Sequence, residues 1–222
     1  MRFSVALRNS IWLAVLCLSA QEQKPPGKDA LTNEAKGLAP RGAPANYQAQ
    51  AKAGTVTIGA EFMRHAVPTA LGTLSTEDYV VVELGMFAAP GERTKLSITD
   101  FSLRINGKKP LPTQPYGMVL ANVKDPEWEP PEPPKPKGGG LSTGGDSGGA
   151  QGEPPPAPPK MPMPLQHAMQ QKVQKAALPE GDRALPQAGL LFFSYHGRSE
   201  GIKSVVLMYT GPAGKTTLTL QP

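Results

Sequence analysis

The stretch Tyr79–Asn106 restricts the fold more than any other part of the chain. It opens with YVVVELGMF, in which β-branched and aromatic residues place apolar side chains on both faces of an extended backbone. Side chains that alternate between two faces with a period of two residues, in these residue types, predict a β-strand rather than a helix. Because both faces are apolar, we expect this strand in the middle of a sheet, with another layer covering each side.

The second half of this stretch predicts another strand and a turn. The strand begins near Ile98 and is expected to bend near Asp100, where the apolar spacing shifts out of register. Asn106-Gly107 follows, and this pair favours a type I′ hairpin because both positions need positive φ. The returning arm contains Pro110, which lacks a backbone donor, so we expect only a short edge strand or a loop there.

Similar short patterns predict further strands, and one segment predicts a helix. Leu165–Leu178 carries an apolar residue at every fourth position, and prolines flank it on both sides. The total is about seven strands in roughly 100 folded residues, which favours an all-β fold, an immunoglobulin-like antiparallel β-sandwich. The remaining predicted strands are Thr55–Phe62, Tyr116–Val123, Leu190–Tyr195, Lys203–Tyr209 and Lys215–Leu220.

The N-terminal composition predicts export. Residues 1–20 have the order of a signal peptide: Arg2 and Arg8 come before the short apolar run Ile11–Leu18. That run is far shorter than the ~20 residues of a spanning helix, so we expect a periplasmic or secreted protein that is not integral to the membrane once processed. Residues 21–53 are polar and lack periodicity, which predicts a disordered linker.

The folded region is predicted to be residues 54–222, a single β-sandwich domain interrupted by an insertion. Residues 126–164 hold 13 of the chain's 26 prolines, arranged as two proline-rich arms around a glycine-rich centre. This composition predicts a disordered insertion, followed by the helix over 165–178. A folded core tolerates such an insertion because the entropy of loop closure grows slowly with length.

Four segments carry a family resemblance: YVVVELGMF, DFSLRINGKK, LPQAGLLFFSY and SVVLMY. In their order the chain resembles a family of exported bacterial immunoglobulin-like domains of unknown function, related in fold to secreted telokin-like antigens. The resemblance covers about half of the chain and implies an immunoglobulin-like sandwich. It implies no catalytic residues, so none are assigned.

Composition excludes several classes of function. Cys17 is the only cysteine and lies in the predicted signal peptide, so the processed chain would have no disulfide, thiolate nucleophile or cysteine metal site. Beyond residue 20 the chain has 21 basic and 18 acidic residues. A balance this weak and dispersed does not indicate a nucleic-acid partner.

A methionine-rich segment suggests one candidate metal site. Met161, Met163, His167 and Met169 lie within nine residues, and thioether and imidazole groups suit Cu(I). His167 and Met169 are two residues apart and do not share a helical face, so packing of the helix onto the sandwich is the favoured interpretation. We therefore predict no cofactor, with copper as the alternative.

Other candidate sites have simpler explanations. The segment Gly211–Thr216 resembles a phosphate-binding loop, but Tyr209 stands where that motif requires glycine, and a hairpin turn is expected instead. His65 and His196 could form an acid–base group with Asp100 or Glu83, yet no nucleophile accompanies them, so polar residues at the sheet margins are the expected alternative.

The proline-rich arms offer a binding function. Extended proline-rich segments dock into aromatic grooves, and Trp128 could anchor such binding. The alternative is a solvated spacer. Together these observations predict a non-enzymatic exported β-sandwich that binds an unknown protein or cell-envelope component or has a structural role there, with a periplasmic copper-binding protein as the alternative.

Overall fold

The computed structural model of the protein describes residues 35–128 and 161–222. The described chain is dominated by antiparallel β-sheet, which confirms the all-β prediction. The predicted signal peptide, residues 21–34 of the predicted linker and residues 129–160 of the predicted insertion lie outside the described residues.

Eight strands form one main sheet, and five more form two small sheets. Within the described residues this exceeds the predicted count of about seven. In chain order the elements are β1 (Ala49–Ala53), β2 (Val56–Arg64), β3 (Ala66–Thr69), β4 (Gly72–Thr76), β5 (Tyr79–Phe87), β6 (Arg93–Leu96), β7 (Phe101–Ile105), β8 (Leu111–Gln114), α1 (Tyr116–Val119), β9 (Val123–Lys124), α2 (Met163–Ala176), β10 (Gly181–Ala184), β11 (Gln187–Ser194), β12 (Val205–Gly211) and β13 (Gly214–Leu220).

The main sheet curls until its two outer strands lie side by side. Its order is β1-β2-β5-β11-β8-β7-β12-β13, and all neighbouring pairs are antiparallel. The Gln48 side chain donates to the Gln221 carbonyl at 3.1 Å, and Arg64 donates to the Pro222 carbonyl at 3.0 Å. The sheet is therefore a sandwich that approaches a closed barrel.

The strand β5 occupies the central position that its sequence predicts. It pairs with β2 on one side and β11 on the other. Val80, Val82, Leu84 and Met86 face the interior of the main sheet and are almost fully buried. On the opposite face, Val81 belongs to a second core beneath α2. Apolar residues on both faces of β5 therefore indicate two layers, as predicted.

The second core joins α2 and the small sheet β3-β4-β9 to the outer face of β5 and β11. Met169, Val173 and Ala176 from α2 are buried in it. A helix is confirmed in the region predicted over 165–178, but its bounds differ: it begins at Met163, inside the predicted insertion, and ends at Ala176. No helix among the described residues is long and apolar enough to cross a membrane.

The region around β7 follows the prediction except at its return arm. A 3₁₀ turn over Ile98–Asp100 accounts for the shifted apolar spacing. Asn106 and Gly107 both have positive φ, at 51° and 69°, as a type I′ turn requires. Residues 108–110 form a loop, as expected, but the expected edge position is wrong, because the strand that follows, β8, lies between β7 and β11. Its first two residues pair with β7 and its last two with β11, so Pro112 costs few ladder hydrogen bonds.

Two other segments differ from their predictions. Tyr116–Val123 is expected to be a strand, but α1 and a 3₁₀ turn occupy most of it. Only Val123 and Lys124 form a strand, β9, while Val119 is buried from α1, so the short apolar run does not by itself distinguish strand from helix. Residues 35–53 are not a disordered linker: β1 pairs with β2, and Tyr47 is only 6% exposed. This strand alternates Ala49, Ala51 and Ala53 with polar residues and packs the alanines against the main core, but alanine is uncommon in strands, so the alternation is a weak signal.

Candidate functional site

Three segments that are distant in sequence bind the edge of β11 next to α2. Phe192 pairs with β8, the Leu178 amide donates to the Leu190 carbonyl at 3.1 Å, and the Leu38 amide donates to the Ala188 carbonyl at 2.9 Å. Each segment satisfies backbone groups that would otherwise be unpaired at the edge. This shared edge brings the stretch before β1 close to the C-terminal half of α2.

Gly37 allows this close approach. It has φ +82°, and an added Cβ would collide with the Ala188 carbonyl oxygen. A side chain at this position would therefore meet both backbone strain and a steric clash. The contact fixes residues 37–39 as one wall of a cavity.

That cavity, the α2 groove, lies between α2, residues 37–39 and the β3–β4 turn, and it has a volume of about 330 Å³. The α2 wall presents Ala168, Gln171, Lys172, Lys175 and Ala176, and the opposite wall presents Leu38, Ala39, Ala70 and Leu71 among its residues. The groove is thus aliphatic on one wall and basic on the other.

Two features of the α2 groove bear on what it could bind. Leu71 is 73% exposed, which is high for a large aliphatic side chain. Lys172 and Lys175 make no ion pair with any residue that the structure describes, and α2 contains no acidic residue. Unpaired cations next to an exposed leucine indicate a surface suited to a partner with both acidic and apolar groups.

A smaller cavity of about 200 Å³ is lined in part by residues 177–178. Ile98, Leu178 and Phe192 contribute to its apolar lining, and Glu180 and Arg183 lie among its polar groups. The Glu180 carboxylate accepts from the Ile98 amide at 3.1 Å, and the Arg183 side chain donates to the Glu180 carbonyl at 3.0 Å. Glu180 and Arg183 therefore already have hydrogen-bond partners within the protein.

Arg41 holds the segment before β1 onto the main sheet. Its side chain donates two hydrogen bonds to the Glu83 carboxylate, at 3.0 and 2.7 Å, and forms an ion pair with Glu61. The guanidinium carbon lies 4.6 Å from the centre of the Tyr47 ring. Hydrogen bonding to Glu83 is the main reason why the pKa of Arg41 is raised above its ordinary value. We call these four residues the Arg41 cluster.

His65 and His196, considered above as a possible acid–base group, line one open cleft, but Asp100 and Glu83 do not. His65 lies between two backbone carbonyls, 2.8 Å from Tyr79 O and 3.1 Å from Gly197 O, and His196 contacts the Asp78 carboxylate at 3.0 Å. Glu83 belongs to the Arg41 cluster, and Asp100 does not line this cleft. The structure therefore does not bring the four residues of that possible group together.

The four candidate copper ligands are divided between core and surface. Met169 is 5% exposed in the second core, and Met161 packs against the same core. Met163 is 60% exposed, and His167 is also exposed. Among the described residues, no group of three or more His, Cys, Asp or Glu side chains is placed to hold a metal ion.

The remaining candidates lie at turns. Trp128 is half-buried, and its amide donates to the Asp125 carbonyl at 3.1 Å at the end of the first described range. The segment resembling a phosphate loop is the tight turn between β12 and β13, where Gly211 pairs with Gly214, as predicted.

Sequence reasoning missed the α2 groove and the Arg41 cluster. Arg41 and Leu38 lie in the stretch predicted to be linker, and Leu71 lies in a connection without a clear pattern. The one available signal was the basic, acid-free composition of α2.

Comparisons of the chain with protein-family models, with curated proteins and with solved structures give no significant match.

Proposed function

We propose that this protein is an exported, non-enzymatic β-sandwich that acts as a binding module of the cell envelope, and that the α2 groove is its contact surface. The observation that carries the proposal is the combination in one cavity of exposed Leu71 with Lys172 and Lys175, which have no ion-pair partner among the described residues. The N-terminal sequence supports export to the periplasm or the medium. The proposed partner is a protein or another envelope component.

The same proposal includes an immunoglobulin-like fold for the β-sandwich. The order of hydrophobic strands and an interior lined by strands from both halves of the main sheet support it. In such sandwiches binding residues are carried at the periphery of a rigid core, and the α2 groove occupies such a position.

A pull-down from envelope extract tests the proposed contact surface. The bait is the wild-type protein, and two variants carry equivalent changes at exposed apolar residues: Leu71→Ser inside the α2 groove and Met118→Ser outside it. Both side chains are largely exposed, so neither change should unfold the protein. Loss of the same partner with Leu71→Ser alone supports the proposal. Retention of all partners by both variants contradicts it.

Copper binding is the second proposal, and it requires the structure to rearrange. All four ligands could meet only if Met169 left the second core. A Cu(I) titration of the wild-type protein and of the Met163→Ala variant separates the two functions. Affinity tighter than micromolar that depends on Met163 would favour copper, whereas weak and unchanged affinity would dismiss it.

A further inference from the structure

We propose that the α2 groove binds an extended peptide in which acidic and apolar residues alternate. This inference rests on the proposed function and specifies the chemistry of its partner. It depends on three features of the described residues: a basic wall, an aliphatic wall and a spacing that matches an extended chain.

The basic wall comes from one face of α2. Lys172 and Lys175 are three residues apart, which places their Cβ atoms about 5–6 Å from each other on a helix. Neither has an ion-pair partner among the described residues. Two carboxylates at a similar spacing would therefore meet two cations that are free to pair.

The aliphatic wall faces α2 across the groove. Leu38 is held in place by its hydrogen bond to β11, and Leu71 projects from the β3–β4 turn. Ala39 and Ala70 beside them leave room for a partner's side chain. A volume of about 330 Å³ lies at the low end for small-molecule sites and suits a few side chains of a peptide.

The two walls together favour an extended peptide. In a β-strand, side chains at positions i and i+2 point to one side and are about 6.6–6.8 Å apart, while i+1 points to the other. An acidic–apolar–acidic sequence therefore presents carboxylates to the lysines and an apolar side chain to Leu38 and Leu71. An anionic lipid would carry its charge at one end, whereas this groove carries charge along one wall.

Fluorescence anisotropy with labelled five-residue peptides tests the inference on the full-length protein. The probe is Glu-Leu-Glu-Leu-Glu. One control, Glu-Glu-Glu-Leu-Leu, has the same composition in blocks, and another, Gln-Leu-Gln-Leu-Gln, lacks the charge. We expect the alternating acidic peptide to bind about tenfold tighter than either control, because the uncharged control lacks both ion pairs and the block control places a carboxylate against the aliphatic wall. Equal binding of the three peptides overturns the proposal.

Charge reversal locates the interaction. The Lys172→Glu/Lys175→Glu variant should lose about tenfold in affinity for the acidic peptide and gain affinity for Lys-Leu-Lys-Leu-Lys. The control variant Lys108→Glu/Lys109→Glu changes the net charge equally at an exposed turn beyond β7 and should bind like wild type. If both variants weaken binding equally, the attraction is general and the proposed site is wrong.

The alternative occupants give distinct outcomes. Binding to phosphatidylglycerol vesicles that is lost in the lysine variant, without peptide binding, assigns the groove to lipid and overturns the inference. A concentration-dependent dimer that is lost in the same variant assigns the groove to a second copy and also overturns it. If Leu71→Ser removes an envelope partner but no peptide binds, the proposed function stands while this inference fails.

Discussion

At the scale of single residues, Arg41 compensates an unfavourable pair of charges. Glu61 and Glu83 are directly opposite each other on β2 and β5, an arrangement that repels when both are ionised. Glu83 is also largely buried, and Arg41 contacts both carboxylates. The sequence position of Arg41 gave no sign of this role, because its main partner is 42 residues away.

Removal of Arg41 should destabilise the protein strongly. Arg41→Met leaves Glu83 without a cation, and we expect a loss of about 2–4 kcal/mol in the free energy of unfolding, measured by urea denaturation. Arg93→Met removes an exposed ion pair with Asp182 and should cost no more than about 1 kcal/mol. Arg41→Met/Glu83→Leu should recover much of the loss. If it is less stable than Arg41→Met, the buried charge is not the cause.

Two buried tyrosines make stability sensitive to alkaline pH. Burial raises the pKa of Tyr209, although a hydrogen bond from the Ala213 amide opposes this, and burial also raises the pKa of Tyr47. The folded state therefore favours the neutral phenol. Since an unfolded tyrosine ionises near pH 10, the free energy of unfolding should fall as pH rises above about 10.

Urea denaturation between pH 9 and pH 11 measures this dependence. The Tyr47→Phe/Tyr209→Phe variant has no hydroxyl to ionise at these positions, so its free energy of unfolding should fall less steeply over the same range. The comparison concerns the slope, since loss of the Ala213 hydrogen bond lowers stability at every pH. Parallel slopes for the two proteins would contradict the assignment.

At the scale of elements, α2 determines both the second core and the α2 groove. One face buries Met169, Val173 and Ala176, and another forms the basic wall. The four-residue apolar repeat was sufficient to predict this helix, since local burial on one face produces that repeat. The surface on which α2 packs could not be read from its sequence.

Packing of α2 predicts a large loss of stability at one methionine and a small change at another. Met169→Ala removes a buried side chain and should lower the free energy of unfolding by about 2–5 kcal/mol. Met163→Ala changes an exposed residue in the same helix and should alter stability by no more than about 0.5 kcal/mol. Thermal or urea denaturation measures both. Similar losses for the two variants would mean that α2 is not packed through Met169.

At the scale of the whole molecule, the first and last hairpins meet and bring the main sheet close to closure. Gly54, in the β1–β2 turn, lies against the Ala213 carbonyl in the β12–β13 turn, so that an added Cβ would collide with it. Gly54 also has φ +59°. Contact between the two outer strands shields sheet edges that could otherwise pair with other chains.

Substitution of Gly54 tests this contact. Gly54→Ala introduces both backbone strain and a clash, and we expect a loss on the order of 3 kcal/mol in the free energy of unfolding. Gly107→Ala is the matched control, because Gly107 has φ +69° with no atom within 4 Å of an added Cβ, and it should cost about 1–2 kcal/mol. Equal losses would show that the hairpins do not press together in solution.

The sequence by itself determined the β character, the central place of β5, the Asn106-Gly107 turn and the helix α2. Each depends on a local repeat or on a backbone preference that neighbouring residues reveal. Only the tertiary structure decided the place of β8, the Arg41 cluster and the α2 groove. These features join residues far apart in the chain through backbone pairing and charge. Neither interaction leaves a periodic pattern in the residues that make it.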